Sequence, residues 1–325
     1  MKALCFAIAM ILAWAARAED APLRLVQSIP LPDGRGRIDH LALDRSRQRL
    51  FVAELGNDSV AVLDLAAGRL IGRLSGTVEP QGVVFVPESD RLFVTSGGTG
   101  AVAMFEGADL RPAGEVDLGD DADNIRYDPA SGEVYVGYGD GALGIIAAPG
   151  GERLDDIPLA AHPESFQLET AGARIFVNVP RLGHVAVVDR AKRTPVAAWP
   201  LADARANFPM ALDEAGHRLI VITREPPRLL VIDTDSGKEI ARVDSCGDAD
   251  DVFYDARRSQ LYVSCGQGFL EVVALGDRAP RRLASIPTAA GARTSLFVPD
   301  DDRLYVAAPR RGEQSAEVLV YQPTS

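Results

Sequence analysis

The chain has 325 residues, of which 34 are Lys or Arg and 46 are Asp or Glu, giving a formal net charge of −12. A surface of that sign repels phosphate backbones, so nucleic acid is not an expected partner, and docking on anionic lipid is disfavoured as well. The length allows a large core in one or two domains.

The chain starts MKALCFAIAMILAWAARAED. Lys2 supplies a charged n-region, Ala3 to Trp14 an apolar h-region, and the small residues ending at Ala18 a cleavage site, the pattern of a secretory signal peptide. The apolar stretch is short for a bilayer span, and no later run is apolar enough to insert. Residues 19–325 are therefore expected to form one exported domain, periplasmic or secreted and monomeric. Cleavage would remove two basic and no acidic residues, leaving a net charge of −14.

Beyond that segment one phrase recurs. RLFVAE, RLFVTS, EVYVGY, RIFVNV, RLIVIT, QLYVSC and RLYVAA carry their second residue at Leu50, Leu92, Val134, Ile175, Leu219, Leu261 and Leu304. A repeat of 41 to 44 residues leaves room for four short strands per unit. The fifth unit is the clearest: PMALD, RLIVIT, RLLVID and EIARVD are strands, with EAGH, REPP and TDSGK as the turns between them. RLIVIT is apolar throughout, as a strand covered on both faces must be. Helical periodicity is absent beyond residue 18.

Seven such units predict an all-β, seven-bladed β-propeller of four-stranded blades. The seventh unit stops after EVLVYQ and lacks a fourth strand. LRLVQSIPL, residues 23–31, matches the fourth strands of other units and is expected to complete that last blade, closing the ring. The units RLFVAELGNDSVAVLDLAAGRLIGRL and RLLVIDTDSGKEIARV resemble the YVTN-type propeller repeats of YncE-like bacterial proteins. The resemblance covers nearly all of the chain after residue 18. It implies the fold, and no single activity, because fold alone does not set function.

In a propeller the first strand of each blade lines the central channel. Eleven residues before each aligned Leu, Val or Ile stand Asp39, Gln81, Asp123, Glu164, Phe208, Asp250 and Arg293, followed by His40, Gly82, Asn124, Ser165, Pro209, Asp251 and Thr294. His162, Arg205, Asn207, Asp121 and Asp248 lie just upstream of this phase. Seven distant segments thus bring polar groups to one channel mouth, which defines a candidate ligand site of Asp39, His40, Gln81, Asp123, Asn124, His162, Glu164, Arg205, Asn207, Asp250, Asp251 and Arg293.

Asp39, Asp123, Glu164 and Asp250 form a candidate set for a divalent cation: oxygen donors suit Ca²⁺ or Mg²⁺, and an added His suits Mn²⁺ or Zn²⁺. The competing reading is that each strand-start Asp or Asn caps its own turn. Two functions follow. One is an exported propeller binding a small molecule or a periplasmic protein at the mouth. The other is a cation-assisted hydrolase or lyase, with His40 or His162 as base and Arg293 holding a substrate anion. The ring is similar in residue type alone to the axial sites of gluconolactonases, paraoxonases and streptogramin lyases, and no individual role carries over.

Asp64, Asp189 and Asp233 read as turn formers, and Trp199 as an aromatic packed between blades. No G-x-S-x-G, H-E-x-x-H or C-x-x-C occurs. Two cysteines remain after residue 18. Cys246 precedes a first strand and Cys265 ends the second strand of the same unit, which permits a disulfide; two free thiols are the alternative.

Overall fold

The computed structural model describes residues 21–276 and 279–324, so the signal-peptide segment and its Cys5 lie outside the described residues. Among the described residues there are 28 strands, numbered β1 to β28 in chain order, and two single 3₁₀ turns at Leu55–Asn57 and Pro180–Leu182. The strands form seven antiparallel four-stranded sheets. β1 (Leu23–Pro30) pairs with β28 (Glu317–Pro323) and completes the sheet that continues through β27 (Arg303–Ala308) to β26 (Thr294–Val298). The chain's two ends therefore share one blade, in register from Leu23 opposite Pro323 to Pro30 opposite Glu317.

The second strand of each blade holds the core. Leu50, Phe51, Val52 and Ala53 are all buried, as are Leu219, Ile220, Val221 and Ile222, because each blade is covered on both faces by its neighbours. The hydrophobic clusters accordingly straddle blades: Ile220, Ile222, Leu229 and Val231 of the fifth meet Leu261 and Val263 of the sixth. Each fully buried side chain of this size contributes roughly 1.5–3 kcal/mol of transfer free energy. Outer strands are open to solvent, as in Thr194–Pro200, where Trp199 turns inward to lie 5.4 Å from the Phe176 ring. A Cβ on Gly237 of the next blade, which has φ +69°, would stand 2.4 Å from the Trp199 indole nitrogen. Only glycine suits that turn.

The channel is lined by the first strands: β2 (Leu41–Asp44), β6 (Pro80–Val86), β10 (Ile125–Asp128), β14 (Phe166–Leu168), β18 (Arg205–Asp213), β22 (Ala249–Asp255) and β26. β18 begins earlier than PMALD suggests, at Arg205, with a register shift between Asn207 and Met210 that accommodates Pro209.

The far ends of these strands carry a second set of carboxylates. Asp44, Asp128, Asp213 and Asp255 accept hydrogen bonds from the turn amides of Arg47, Ala130, Gly216 and Arg257 at 3.0–3.1 Å. Each also meets an arginine: Arg47 at 3.0 Å, Arg190 at 3.1 Å, Arg218 at 2.6 Å and Arg258 at 2.9 Å. Three of these pairs reach across blades, since Arg47 also binds Asp90, Arg258 also binds Asp302, and Arg190 comes from the blade after Asp128.

Candidate functional site

The opposite ends of the same strands form the mouth. Asp39, Asp123 and Glu164 are each fixed by a backbone amide that donates to the second strand of their own blade, at Ala53, Gly137 and Asn178 respectively, 2.7–3.0 Å away. The offset of 14 residues is the same in all three, so the repeat itself sets their phase. Neighbouring blades come close here. A Cβ on Gly82 would stand 2.4 Å from the Asp123 carbonyl oxygen, and the Thr95 hydroxyl donates to that same oxygen at 2.6 Å.

One part of the ring is neutralised internally. Asp250 is held between Arg224 and Arg293, the latter with its Nε 2.7 Å from Oδ2; Arg293 also donates to Asp248 at 3.0 Å. The Arg224 guanidinium lies 4.0 Å above the Phe208 ring, a cation–π arrangement. Arg37 Nη2 lies 2.7 Å from Asp39 Oδ2, placed for charge attraction and not aligned as a hydrogen bond. His40 bridges two carboxylates, 3.6 Å from Asp39 and 3.4 Å from Asp251, whose other contact is the Ser295 amide at 2.8 Å.

The other part is not neutralised. Among the described residues no Lys, Arg or His lies within ion-pairing distance of the Asp123 or Glu164 carboxyl. One ligand atom each from Asp123, His162 and Glu164 fall within 4.8 Å of one another. His162 Nδ1 sits 2.6 Å from the Gly139 carbonyl oxygen. A carbonyl only accepts, so that nitrogen carries the proton and Nε2 keeps its lone pair in the neutral ring. Asn124 lines a recess with Asp123 and Glu164, 2 % exposed, with its Oδ1 lacking any protein donor.

The titration of these groups follows from their partners. Burial raises Asp123 to about 7, with the Asp39 charge adding to it and the two histidines opposing. Burial, then Asp123, Asp250 and Asp39, push Glu164 well above the usual carboxylate range. Burial likewise raises Asp39, against the pull of His40 and Arg37. For His40, burial favours the neutral ring, yet Asp251, Asp39 and Asp123 together outweigh it and raise it to about 10. His40 is thus an imidazolium at neutral pH and cannot take a proton there.

The structure brings together Asp39, His40, Gln81, Asp123, Asn124, His162, Glu164, Asp250 and Arg293 around recesses at the mouth, the larger of about 190 Å³. Gln81 donates to Asp121 at 3.2 Å. Asp251 sits deeper, turned toward His40 and the far side of the channel. Arg205 and Asn207 are not part of the ring. Arg205 is exposed at the start of β18, and Asn207 is buried between blades, donating to Asn178 Oδ1 at 2.8 Å and the His184 carbonyl at 3.1 Å. The four-carboxylate cation set divides as well: Asp39 and Asp250 face arginines, while Asp123 and Glu164 face His162. Arg37 and Arg224 were not read from the sequence as site residues. Arg37 stands two residues before Asp39; Arg224, expected in the turn REPP, lies in β19 (Arg218–Glu225), which runs two residues beyond RLIVIT, and it reaches the site only through folding.

Cys246 and Cys265 are joined at the mouth end of the sixth blade, with Cα atoms 5.9 Å apart. They do not belong to the axial site.

The fold and the axial ring define the class: a seven-bladed β-propeller with a polar channel mouth. Two solved structures are similar to it throughout. A chain of the Kuenenia stuttgartiensis hydrazine synthase matches with a TM-score of 0.76 and 17 % identity, over 87 % of this chain and 94 % of that one. A chain of a mitotic checkpoint complex matches with a TM-score of 0.77 and 12 % identity, over 93 % and 92 %. At these identities the likeness is one of fold. No family model and no curated protein matches the chain. Among the described residues no helix is long and apolar enough to cross a membrane.

Proposed function

We propose that the protein is an exported propeller of the YVTN type whose axial mouth binds a small ligand through a divalent cation held by Asp123, His162 and Glu164. One observation carries this reading: Asp123 and Glu164 are the ring carboxylates with no basic side chain in contact, whereas Asp39 and Asp250 have Arg37, Arg224 and Arg293. Carboxylates crowded in this way favour either a proton or a cation. Two oxygen donors and one imidazole suit Mn²⁺ or Zn²⁺ best, and three protein ligands leave coordination positions open for a ligand. Export rests on the N-terminal segment alone.

The hydrolase or lyase reading uses the same cation and retains His162 as its base. It is the weaker reading, because His40 is held protonated and Arg293 is already engaged by Asp248 and Asp250.

Elemental analysis of the purified protein, with melting curves in Ca²⁺, Mg²⁺, Mn²⁺ and Zn²⁺, tests the proposal. Bound metal and a stabilising shift are expected, both lost in Asp123→Asn and Glu164→Gln and both kept in Asp250→Asn. Because Asp123 titrates near 7, protons compete and the shift should grow from pH 6 to pH 8. A shift that survives both substitutions, or no shift with any cation, rejects the site.

A further inference from the structure

Below the mouth the channel changes character. Three residues past the aligned mouth position, one side chain per blade lines a cavity of about 590 Å³: Ala42, Val84, Arg126, Gln167, Ala211, Phe253 and Leu296. Five of the seven are apolar. The cavity runs from His40 and Asp251 at its inner end to Arg45, Pro299 and Asp300 in the turns at the face opposite the polar mouth. Phe85, Leu212 and Phe297 add to its apolar wall.

Gln167 and Arg126 are the exceptions in this ring of seven, and Arg126 is its one charged member. Among the described residues it forms no ion pair, and its hydrogen bond goes from Nη1 to the carbonyl of its own neighbour Ile125, at 2.7 Å. The guanidinium is propped 5.5 Å from the Phe166 ring centre. Elsewhere among the described residues six partly buried arginines, Arg47, Arg190, Arg218, Arg224, Arg258 and Arg293, meet a carboxylate, and Arg49 and Arg303, which do not, donate to the carbonyls of Ala108 and of Asp301 and Asp302 near the turns. Burial lowers the pKa of Arg126, with Asp251 and Asp123 opposing from a distance. Asp251 does not serve as its partner, being committed to His40 and the Ser295 amide. A guanidinium without an anion in a mostly apolar cavity costs stability, and an incoming carboxylate would recover that cost through charge-assisted hydrogen bonds.

We propose that this cavity is a second binding site, open to the face opposite the mouth, for an amphipathic monocarboxylate of medium-chain fatty-acid size. The carboxylate sits on Arg126, and the hydrocarbon body lies along Val84, Phe85, Phe253 and Leu296. The volume falls within the range of small-molecule sites, and Arg126 is the charged group of the cavity wall left without a counter-ion, since His40 pairs with Asp251 at the inner end and Arg45 with Asp300 at the outer one, so it can fix a ligand's orientation as such sites require. The site shares no ligand-contacting residue with the cation set of Asp123, His162 and Glu164, so either can fail alone.

Calorimetric titration with decanoate tests it, with decanol and acetate as controls. Decanoate should bind one to one, at least tenfold more tightly than either control. Arg126→Met should weaken decanoate at least tenfold and leave decanol unchanged, while Arg126→Lys should keep part of the preference. Ala211→Phe, which fills the cavity without touching the charge, should abolish binding of both. Absence of decanoate binding, equal affinity for decanol, or a loss below tenfold in Arg126→Met overturns the proposal. Should Arg126→Met fail to fold, the decanoate-to-decanol ratio of the unmodified protein and the Ala211→Phe variant decide it.

Discussion

Four of the seven inner strands carry carboxylates at both ends, five residues apart, and the two ends of the ring treat their carboxylates oppositely. At the turn end, Asp44, Asp128, Asp213 and Asp255 each have an amide, an arginine and a fixed place between blades. At the mouth, Asp123 and Glu164 have neither amide nor arginine on their carboxyl groups. Asp44 is held below its usual range: burial opposes its charge, and Ser46 and Arg47 outweigh burial. Asp123 is driven up to about 7. Similar residues on the same strands thus staple the ring at one end and are left free at the other, the signature of a site kept at some expense of stability.

The largest effect should come from the stapled end. Asp255→Ala removes the partner of Arg258 and of the Tyr262 hydroxyl, which donates at 2.7 Å. Leaving that arginine largely buried beside one less carboxylate should cost about 3–5 kcal/mol in urea unfolding. A loss under about 1 kcal/mol, the level of an exposed pair, would erase the contrast between the ends.

The mouth end of the sixth blade has a covalent tie where the turn end has ion pairs. Replacing Cys246 and Cys265 by serine should cost about 3 kcal/mol for a loop of this length. Thiol titration of the unfolded, unreduced protein should find neither residue reactive; two reactive thiols would remove the tie from the account.

The two ends should also respond to pH with opposite sign. Asp123 binds its proton more tightly folded than unfolded, so stability should fall as pH rises from about 4 through about 7, and Asp123→Asn should flatten that fall. Asp44 does the reverse: its contribution is present above its unfolded value and is lost as the solution is acidified below about 4. His40, raised to about 10, contributes fully below about 6.5 and loses its contribution as pH climbs through 10. Urea midpoints from pH 3 to pH 10 for the protein and for Asp44→Asn and Asp123→Asn separate the three.

The smallest effect should be at the free carboxylates. Without added metal at pH 8, Glu164→Gln should leave stability unchanged or raise it by about 1 kcal/mol, because one of several crowded like charges is removed. A loss of that size, unaffected by cations, would place Glu164 among turn-capping residues and align the mouth with the opposite end.

Much of the architecture was legible in one dimension. The period of 41 to 44 residues, and the match of LRLVQSIPL to the other fourth strands, led to seven blades and to the closing strand, both of which the structure contains. The turn-end carboxylates were written just as plainly, as the final residue of LALD, IRYD, MALD and VFYD, and went unread because an Asp at a strand end is ordinary turn chemistry. The limits of the mouth were harder to read. Arg205 and Asn207 stand beside the ring in sequence, yet the bulge before Met210 leaves the first outside and turns the second toward Asn178.

The sequence by itself determined which residues share a phase, since strand pairing within a blade is local and every blade repeats it: thus Asp39, Asp123, Glu164 and Asp250 had to reach one mouth. Only the tertiary structure decided which of them keep their charge unopposed. That depends on side chains from other blades or from loops, such as Arg224 of the fifth blade on Asp250 of the sixth, and Coulomb attraction acts through a few ångströms of space whatever the separation along the chain. The lone Arg126 in an apolar wall is a fact of the same kind, visible only once seven strands surround it.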